Sequence, residues 1–174
     1  MPFPRTHTGV FETDGMDEDS IGTTAFTLVW VFGIFVLGIP SLVVRRSSDG
    51  LAGHGGWLRL LGIPLVAVGA GLYIWAARAL TDSGGTPAPT HEPEALVTTG
   101  PYQHTRNPYY VSVLCVLLGE AALLGHIGLL AYTGVMFAYF ETLVVGYEEP
   151  RLHGKYGDQY DAYRKDVPRW GVAI

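Results

Sequence analysis

Four uninterrupted apolar runs constrain this chain more than any other feature. Residues 21–44, IGTTAFTLVWVFGIFVLGIPSLVV, carry no charge. Residues 57–80, WLRLLGIPLVAVGAGLYIWAARAL, carry only Arg59 and Arg78 near their ends. Residues 109–125 hold one acid, Glu120, and residues 126–147 hold one, Glu141. A helix of about 20 apolar residues spans the hydrocarbon core of a bilayer. In lipid, only helices and closed barrels satisfy their own backbone, and these runs do not alternate as barrel strands do. The expectation is an all-α polytopic membrane protein with four transmembrane helices, the third near the lower length limit. The first run is too long in its apolar core, and too acidic in what precedes it, for a cleaved signal peptide.

Pro40 and Pro64 should bend their helices locally, and Gly33, Gly38, Gly62, Gly69 and Gly71 offer small faces for helix contacts. Trp57, Trp75 and Tyr147 stand near expected span ends, where interfacial aromatics sit. Outside the runs, residues 1–20 form an acidic tail with few apolar anchors. Residues 81–100 form a Gly/Pro/Thr-rich loop. In residues 148–174, Leu152, Tyr156, Tyr160, Tyr163 and Val167 recur at helical spacing. An amphipathic C-terminal helix is expected there, on the membrane or on the protein. Residues 21–174 thus read as one domain behind a flexible tail.

Only 16% of the 174 residues are charged and the net charge is −5. That balance argues against a nucleic-acid partner. One cysteine, Cys115, excludes an internal disulfide and a cysteine-based zinc site, and the scattered histidines have no ligand spacing, so no metal is expected. With four spans, Arg5, Arg78, Arg106, Arg151, Lys155, Arg164, Lys165 and Arg169 share one side, leaving Arg45, Arg46 and Arg59 on the other. The positive-inside rule places the first group, with both termini, in the cytoplasm.

That side also brings together two polar segments. TTGPYQHTRNPYY, residues 98–110, precedes the third run, and YEEPRLHGKYGDQYDAYRKDVPRW, residues 147–170, ends the fourth. The third and fourth spans form a hairpin around Gly125, so their far ends lie close together. A Tyr/Arg/Asn cluster should therefore meet the Glu148–Glu149 pair where a water-soluble cofactor could meet a lipid-soluble substrate.

These two segments resemble a family of membrane methyltransferases that includes the isoprenylcysteine carboxyl methyltransferases and the phospholipid N-methyltransferases. The shared pattern is a Gly-Pro-Tyr turn, then Arg-x-Pro with tyrosine behind it, a helical hairpin, a Glu-Glu pair and a Tyr-rich tail closing on Pro or Arg-aromatic. The resemblance covers roughly the last 110 residues. It implies transfer of a methyl group from S-adenosylmethionine to an apolar or lipid-like acceptor. It implies cofactor contacts at Tyr102, Arg106, Asn107, Pro108, Tyr109, Tyr110, Glu148 and Glu149, with Gly69 and Gly71 in the place of a Gly-x-Gly motif of the phospholipid branch. Asn107 stands where the prenylcysteine branch has histidine, which puts that substrate in doubt.

The chemistry fits these residue types. Carboxylates suit the amino group and ribose of the donor, Arg106 suits its carboxylate, and tyrosines suit its adenine. Intramembrane acids are costly and often functional. Glu141 lies two helical turns before Glu148 on nearly the same face, so it is a candidate to orient or deprotonate the acceptor, with Arg106 beside it. Glu120 is a lesser candidate. Two other readings compete: an NADPH-dependent membrane reductase of the sterol-reductase type, and a non-catalytic membrane protein.

Overall fold

The computed structural model describes residues 32–46, 56–84, 93 and 95–171. The acidic tail and residues 21–31 of the first run lie outside the described residues. Described secondary structure is helical throughout.

The described part of the first run begins with a π-helical stretch, Phe32–Gly38, and continues as α1, Ile39–Arg46. Pro40 accounts for the change of pitch. It has no N–H to give, its ring crowds the carbonyl one turn back, and the wider turn accommodates both. The second run divides into α2, Gly56–Leu60, and α3, Gly62–Thr81, with a turn at Leu61. Pro64 sits in the first turn of α3, where an N–H has no intrahelical partner anyway. The expected bend is therefore a break just ahead of the proline.

A short 3₁₀ turn, Gly100–Gln103, rests on the C-terminal half of α3. Gly100 has φ +62°, and a Cβ there would come within 3.1 Å of Ala79 Cβ and 3.3 Å of Trp75 Nε1. Glycine satisfies both demands at once. Then α4, Pro108–Leu124, starts on Pro108 and stops at Gly125, which is left-handed. A tight turn leads into α5, Ile127–Leu143. The helix runs on through a π turn, Val144–Glu148, into α6, Glu149–Tyr156. Pro150 lies at the second position of α6, as Pro40 does in α1, with the same wide turn before it. Gly157, at φ +53° and ψ −127°, then reverses the chain into α7, Asp158–Asp166.

The α3–α4 pair is the scaffold. Gly62, Gly69 and Ala76 recur every seven residues along α3, and all three are buried. A Cβ on Gly69 would lie 2.7 Å from the Ser112 carbonyl oxygen and 2.7 Å from Val116 Cγ2, and one on Gly62 would lie 2.5 Å from the Gly119 oxygen. The two backbones touch, as small-residue interfaces allow. Gly33 and Gly71 do not share this role, because nothing lies within 4 Å of a Cβ at either. Gly38 would meet only the Gly33 carbonyl of its own run.

The apolar core gathers Val36, Val113, Val116, Leu117, Met136 and Phe140 from the first run, α4 and α5. The Tyr132 hydroxyl donates to the Phe35 carbonyl at 2.9 Å and ties α5 to the first run. Large apolar side chains remain exposed along the outer faces, including Ile63, Val68 and Ile74 of α3 and Val135, Phe137 and Tyr139 of α5. Two helices, Gly62–Thr81 and the continuous Ile127–Tyr156, are long and apolar enough to cross a membrane, while Pro108–Leu124 is shorter.

The expected C-terminal helix is two helices broken at Gly157, and its apolar stripe packs on the chain's own loop, one of the two places expected for it. Tyr160 is 2% exposed and Val167 is buried. The Tyr156 hydroxyl donates to the Pro93 carbonyl at 2.7 Å, and the Tyr163 hydroxyl to the Tyr102 carbonyl at 2.6 Å. The arm therefore clamps Pro93 and residues 95–107 against the helical hairpin.

Candidate functional site

The candidate site lies where the 3₁₀ turn, the start of α4, the π turn of the long helix and the C-terminal arm converge. Its polar framework is built on Glu149. Arg106 Nη1 lies 2.9 Å from Glu149 Oε1, and Arg169 grips both oxygens, Nε to Oε1 at 2.7 Å and Nη2 to Oε2 at 2.9 Å. The same guanidinium reaches Glu141 Oε1 through Nη1 at 2.8 Å. The Trp170 indole N–H donates to the second oxygen of Glu141. Burial alone pushes the Glu149 carboxyl up. Hydrogen bonds from Arg169 and the charges of both arginines outweigh it and hold this carboxyl below the usual carboxylate range.

Backbone bonds lock the arm to the loop beside this cluster. The Arg106 N–H donates to the Pro168 carbonyl at 3.0 Å. The Arg169 carbonyl accepts from Thr105 Oγ1 at 3.0 Å and from Asn107 Nδ2 at 3.1 Å. Asn107 is thus buried at the N-cap position of α4 with its amide nitrogen bonded to the arm. Pro108 is buried at the first position of α4 and sets its start. Arg106 also donates to the Tyr160 hydroxyl at 3.0 Å.

Glu148 has a different environment from its neighbour. It accepts from the Tyr110 hydroxyl, and its second oxygen accepts no hydrogen bond among the described residues. Burial pushes this carboxyl up, against the lowering effect of the Tyr110 bond. Tyr110 stacks on Phe140 with ring centroids 4.5 Å apart, and Tyr109 meets Tyr73 of α3 edge-on at 5.0 Å. The Tyr109 hydroxyl is buried without a hydrogen-bond partner, as is Arg106 Nε. Burial first, and then the proximity of Tyr109, Tyr163, Glu148 and Tyr73, push the Tyr102 phenol up, so it stays neutral. Four tyrosines and one spare carboxylate oxygen thus face a common region.

The structure brings Tyr102, Arg106, Asn107, Pro108, Tyr109, Tyr110, Glu141, Glu148 and Glu149 into this neighbourhood. It does not bring Gly69 or Gly71 in as a pair. Gly69 is filled by Ser112 and Val116 of α4, and Gly71 opens outward. Glu141 aligns with Glu149 rather than with Glu148, correcting the expected register. A π turn closes on i+5 instead of i+4, so the repeat of the face slips by about one residue. Arg169 and Trp170 occupy both oxygens of Glu141, which leaves it poorly placed to act as a base.

Arg169 and Trp170 were missed as site residues. Their signal was the closing Arg-aromatic pair at the end of the tail. Nothing local shows that this pair folds back beside α5. Among the described residues, no three His, Cys, Asp or Glu side chains cluster as metal ligands do.

Comparison with known proteins gives two matches. A model of the phospholipid methyltransferase family matches residues 57–159, more than half of the chain. A protein-S-isoprenylcysteine O-methyltransferase of Schizosaccharomyces pombe is 38% identical over 74 residues, which cover 42% of this chain and 31% of the relative. The matched part is therefore about a third of that relative's length. No solved structure matches the chain.

Proposed function

The chain belongs to the phospholipid methyltransferase family, and from that membership we propose that it transfers a methyl group from S-adenosylmethionine to a membrane-soluble or lipid-like acceptor. The observation that carries the proposal is the division of labour between two adjacent glutamates. Glu149 is consumed by Arg106 and Arg169 as a structural clasp, while Glu148 keeps a free oxygen among tyrosines. A reactive sulfonium would supply the methyl group. The protein would contribute alignment, which is worth about 7–11 kcal/mol in the best intramolecular cases.

The residues present suit such a donor. Glu148 Oε2 and the unpartnered Tyr109 hydroxyl offer hydrogen bonds to an amino group or a ribose. Tyr102 and Tyr110 offer aromatic faces, and Arg106 Nε offers a donor to a carboxylate. Asn107 and Pro108 shape the start of α4 beside these groups.

The membrane arrangement follows the same reading. Spans over 21–44, 57–80, 109–125 and 126–147 put the site at one bilayer face, the cytoplasmic one by the distribution of arginine and lysine. The exposed apolar faces of α3 and α5 would then contact lipid. The carboxylate of a lipidated cysteine and the amine of a phospholipid are both open as acceptors. Calorimetry of the detergent-purified protein with S-adenosylmethionine, set against NADPH, tests the proposal. Saturable binding of the sulfonium donor that weakens in Glu148→Gln supports it, and binding of NADPH alone refutes it.

A further inference from the structure

The C-terminal arm puts a tryptophan at an unexpected depth. Trp170 follows a polar segment, KDVPR, yet its indole N–H is bonded to Glu141, well inside the fourth apolar run. Its ring lies 5.3 Å from Phe137, which stands about ten residues, roughly 15 Å of helix, before the run's end at Tyr147. Phe137 is exposed on the outer face of α5. On its other side Trp170 approaches Tyr110 at 6.4 Å, and Tyr110 carries the hydrogen bond to Glu148. Phe137, Trp170 and Tyr110 therefore form a continuous aromatic path from the outer apolar face to the Glu148 carboxylate of the candidate site.

We infer that Trp170 is a specificity-determining residue, lining the passage by which the apolar tail of the acceptor extends from the bilayer to the methyl-transfer site. The inference rests on the proposed methyltransferase reading and adds the acceptor's route and the residue that gauges its tail. Three features support a passage over simple packing. Trp170 is only partly buried, although it contacts rings on both sides. Its edge is held by the bond that its indole N–H donates to Glu141, a carboxylate that Arg169 in turn fixes, while its ring packs only at the rim of the core cluster. The helix it lies against also exposes Leu130, two turns before Phe137 on the same face, an apolar approach that suits an acyl or prenyl chain. Glu141 and Arg169 are then positioning residues that act through Trp170.

The test uses the full chain reconstituted in phosphatidylcholine vesicles, with wild type, Trp170→Phe and Trp170→Ala compared. Vesicles with acyl-chain-brominated phosphatidylcholine should quench a tryptophan component present in wild type and missing from Trp170→Phe. Methyl transfer from labelled S-adenosylmethionine is then read on two acceptor pairs, each differing only in tail length: long- and short-chain phosphatidylethanolamine, and geranylgeranyl- and prenyl-cysteine. Trp170→Ala should reduce the preference for the longer tail by roughly tenfold, about the worth of one lost aromatic contact with its burial. Trp170→Phe should restore most of it. Donor affinity by calorimetry is read alongside, so that a change in tail preference is separated from a change in donor binding. Absence of the quenched component overturns the inference, and so does quenching with an unchanged tail preference, which marks Trp170 as an interfacial anchor only. If wild type binds no S-adenosylmethionine, the methyltransferase reading fails, and with it the role in specificity, whatever the quenching shows about depth.

Discussion

Arg169 holds both carboxylate oxygens of Glu149, at 2.7 and 2.9 Å, across twenty residues of chain. The fork-to-fork geometry is the one in which arginine cannot be replaced by lysine without loss. It closes the C-terminal arm over the loop that carries Arg106 and Asn107. Its partners are only partly exposed, with side-chain exposure of 29% for Arg169 and 16% for Glu149.

Arg169→Ala should therefore loosen the arm and strand a largely buried carboxylate. The cost lies between that of a surface pair and that of a fully buried one, about 1–3 kcal/mol. Arg169→Lys should recover less than half of it. Thermal unfolding in detergent reads the effect, and limited proteolysis should show cleavage in residues 157–170 first. Equal midpoints for wild type and the alanine variant would remove the clasp from the account of stability.

Glu148 and Glu149 should respond to pH in opposite senses. The folded carboxyl of Glu149 lies below its unfolded value near 4.5, so its stabilisation is present above that value and fades as the pH falls further. Glu148 is raised in the fold, so its charge costs stability at neutral pH, and that cost is relieved as the pH falls towards 4.5. The unfolding midpoint should pass through a maximum on the acidic side of neutrality. Glu148→Gln should flatten the limb above the maximum and leave the lower limb in place.

The same substitution separates stability from binding. Glu148→Gln keeps a carbonyl for the Tyr110 hydroxyl and removes a buried charge, so the variant should be as stable as wild type or more so at pH 7. Its affinity for S-adenosylmethionine should drop by roughly tenfold or more, the worth of one charge-assisted hydrogen bond. A variant that binds the donor normally would take Glu148 out of the site.

Gly69→Ala and Gly71→Ala should diverge sharply. The first drives a methyl group into the Ser112 carbonyl and Val116, which costs about 1–3 kcal/mol as overpacking. The second meets open space and replaces glycine in a helix, so it should be neutral or stabilising by up to about 1 kcal/mol. Donor binding by the Gly71 variant should match wild type. A selective loss of binding there would return the glycine pair to the site.

Gly157→Ala forces a side chain into φ +53°, ψ −127°, a conformation that L residues rarely adopt. The strain, about 1–3 kcal/mol, should fall on the α6–α7 reversal. Faster hydrogen exchange confined to residues 157–170 would report it, and uniform exchange across the chain would argue against a local hinge.

The sequence was informative where local physics decides. The apolar runs foretold the helices, Gly125 marked the end of α4, and the order of the GPY, NPYY and EE segments foretold that Arg106 and Tyr110 would face the glutamate pair. It was less informative where one residue changes the pitch of a helix. Pro150 directly follows Glu149, and reading it as the cause of a wide turn would have moved Glu141 into line with Glu149. Arg169 and Trp170 were hidden for another reason. Their partners, Glu141 and Glu149, lie at least twenty positions away, and only the reversal at Gly157 brings the arm back to them. The apolar stripe of the tail was legible, but periodicity does not say whether such a stripe covers lipid or the chain's own loop.

The seven-residue repeat of Gly62, Gly69 and Ala76 has a mechanical consequence. Where two helices come this close, only single side chains such as Val66, Val116 and Leu123 fill the seam and little can rearrange there, so α3 and α4 act as one rigid mast. The opposite wall of the site, made of the π turn and the arm, is joined by polar bonds that can break and re-form one at a time. Opening and closing would therefore belong to that wall, with the mast as its fixed reference.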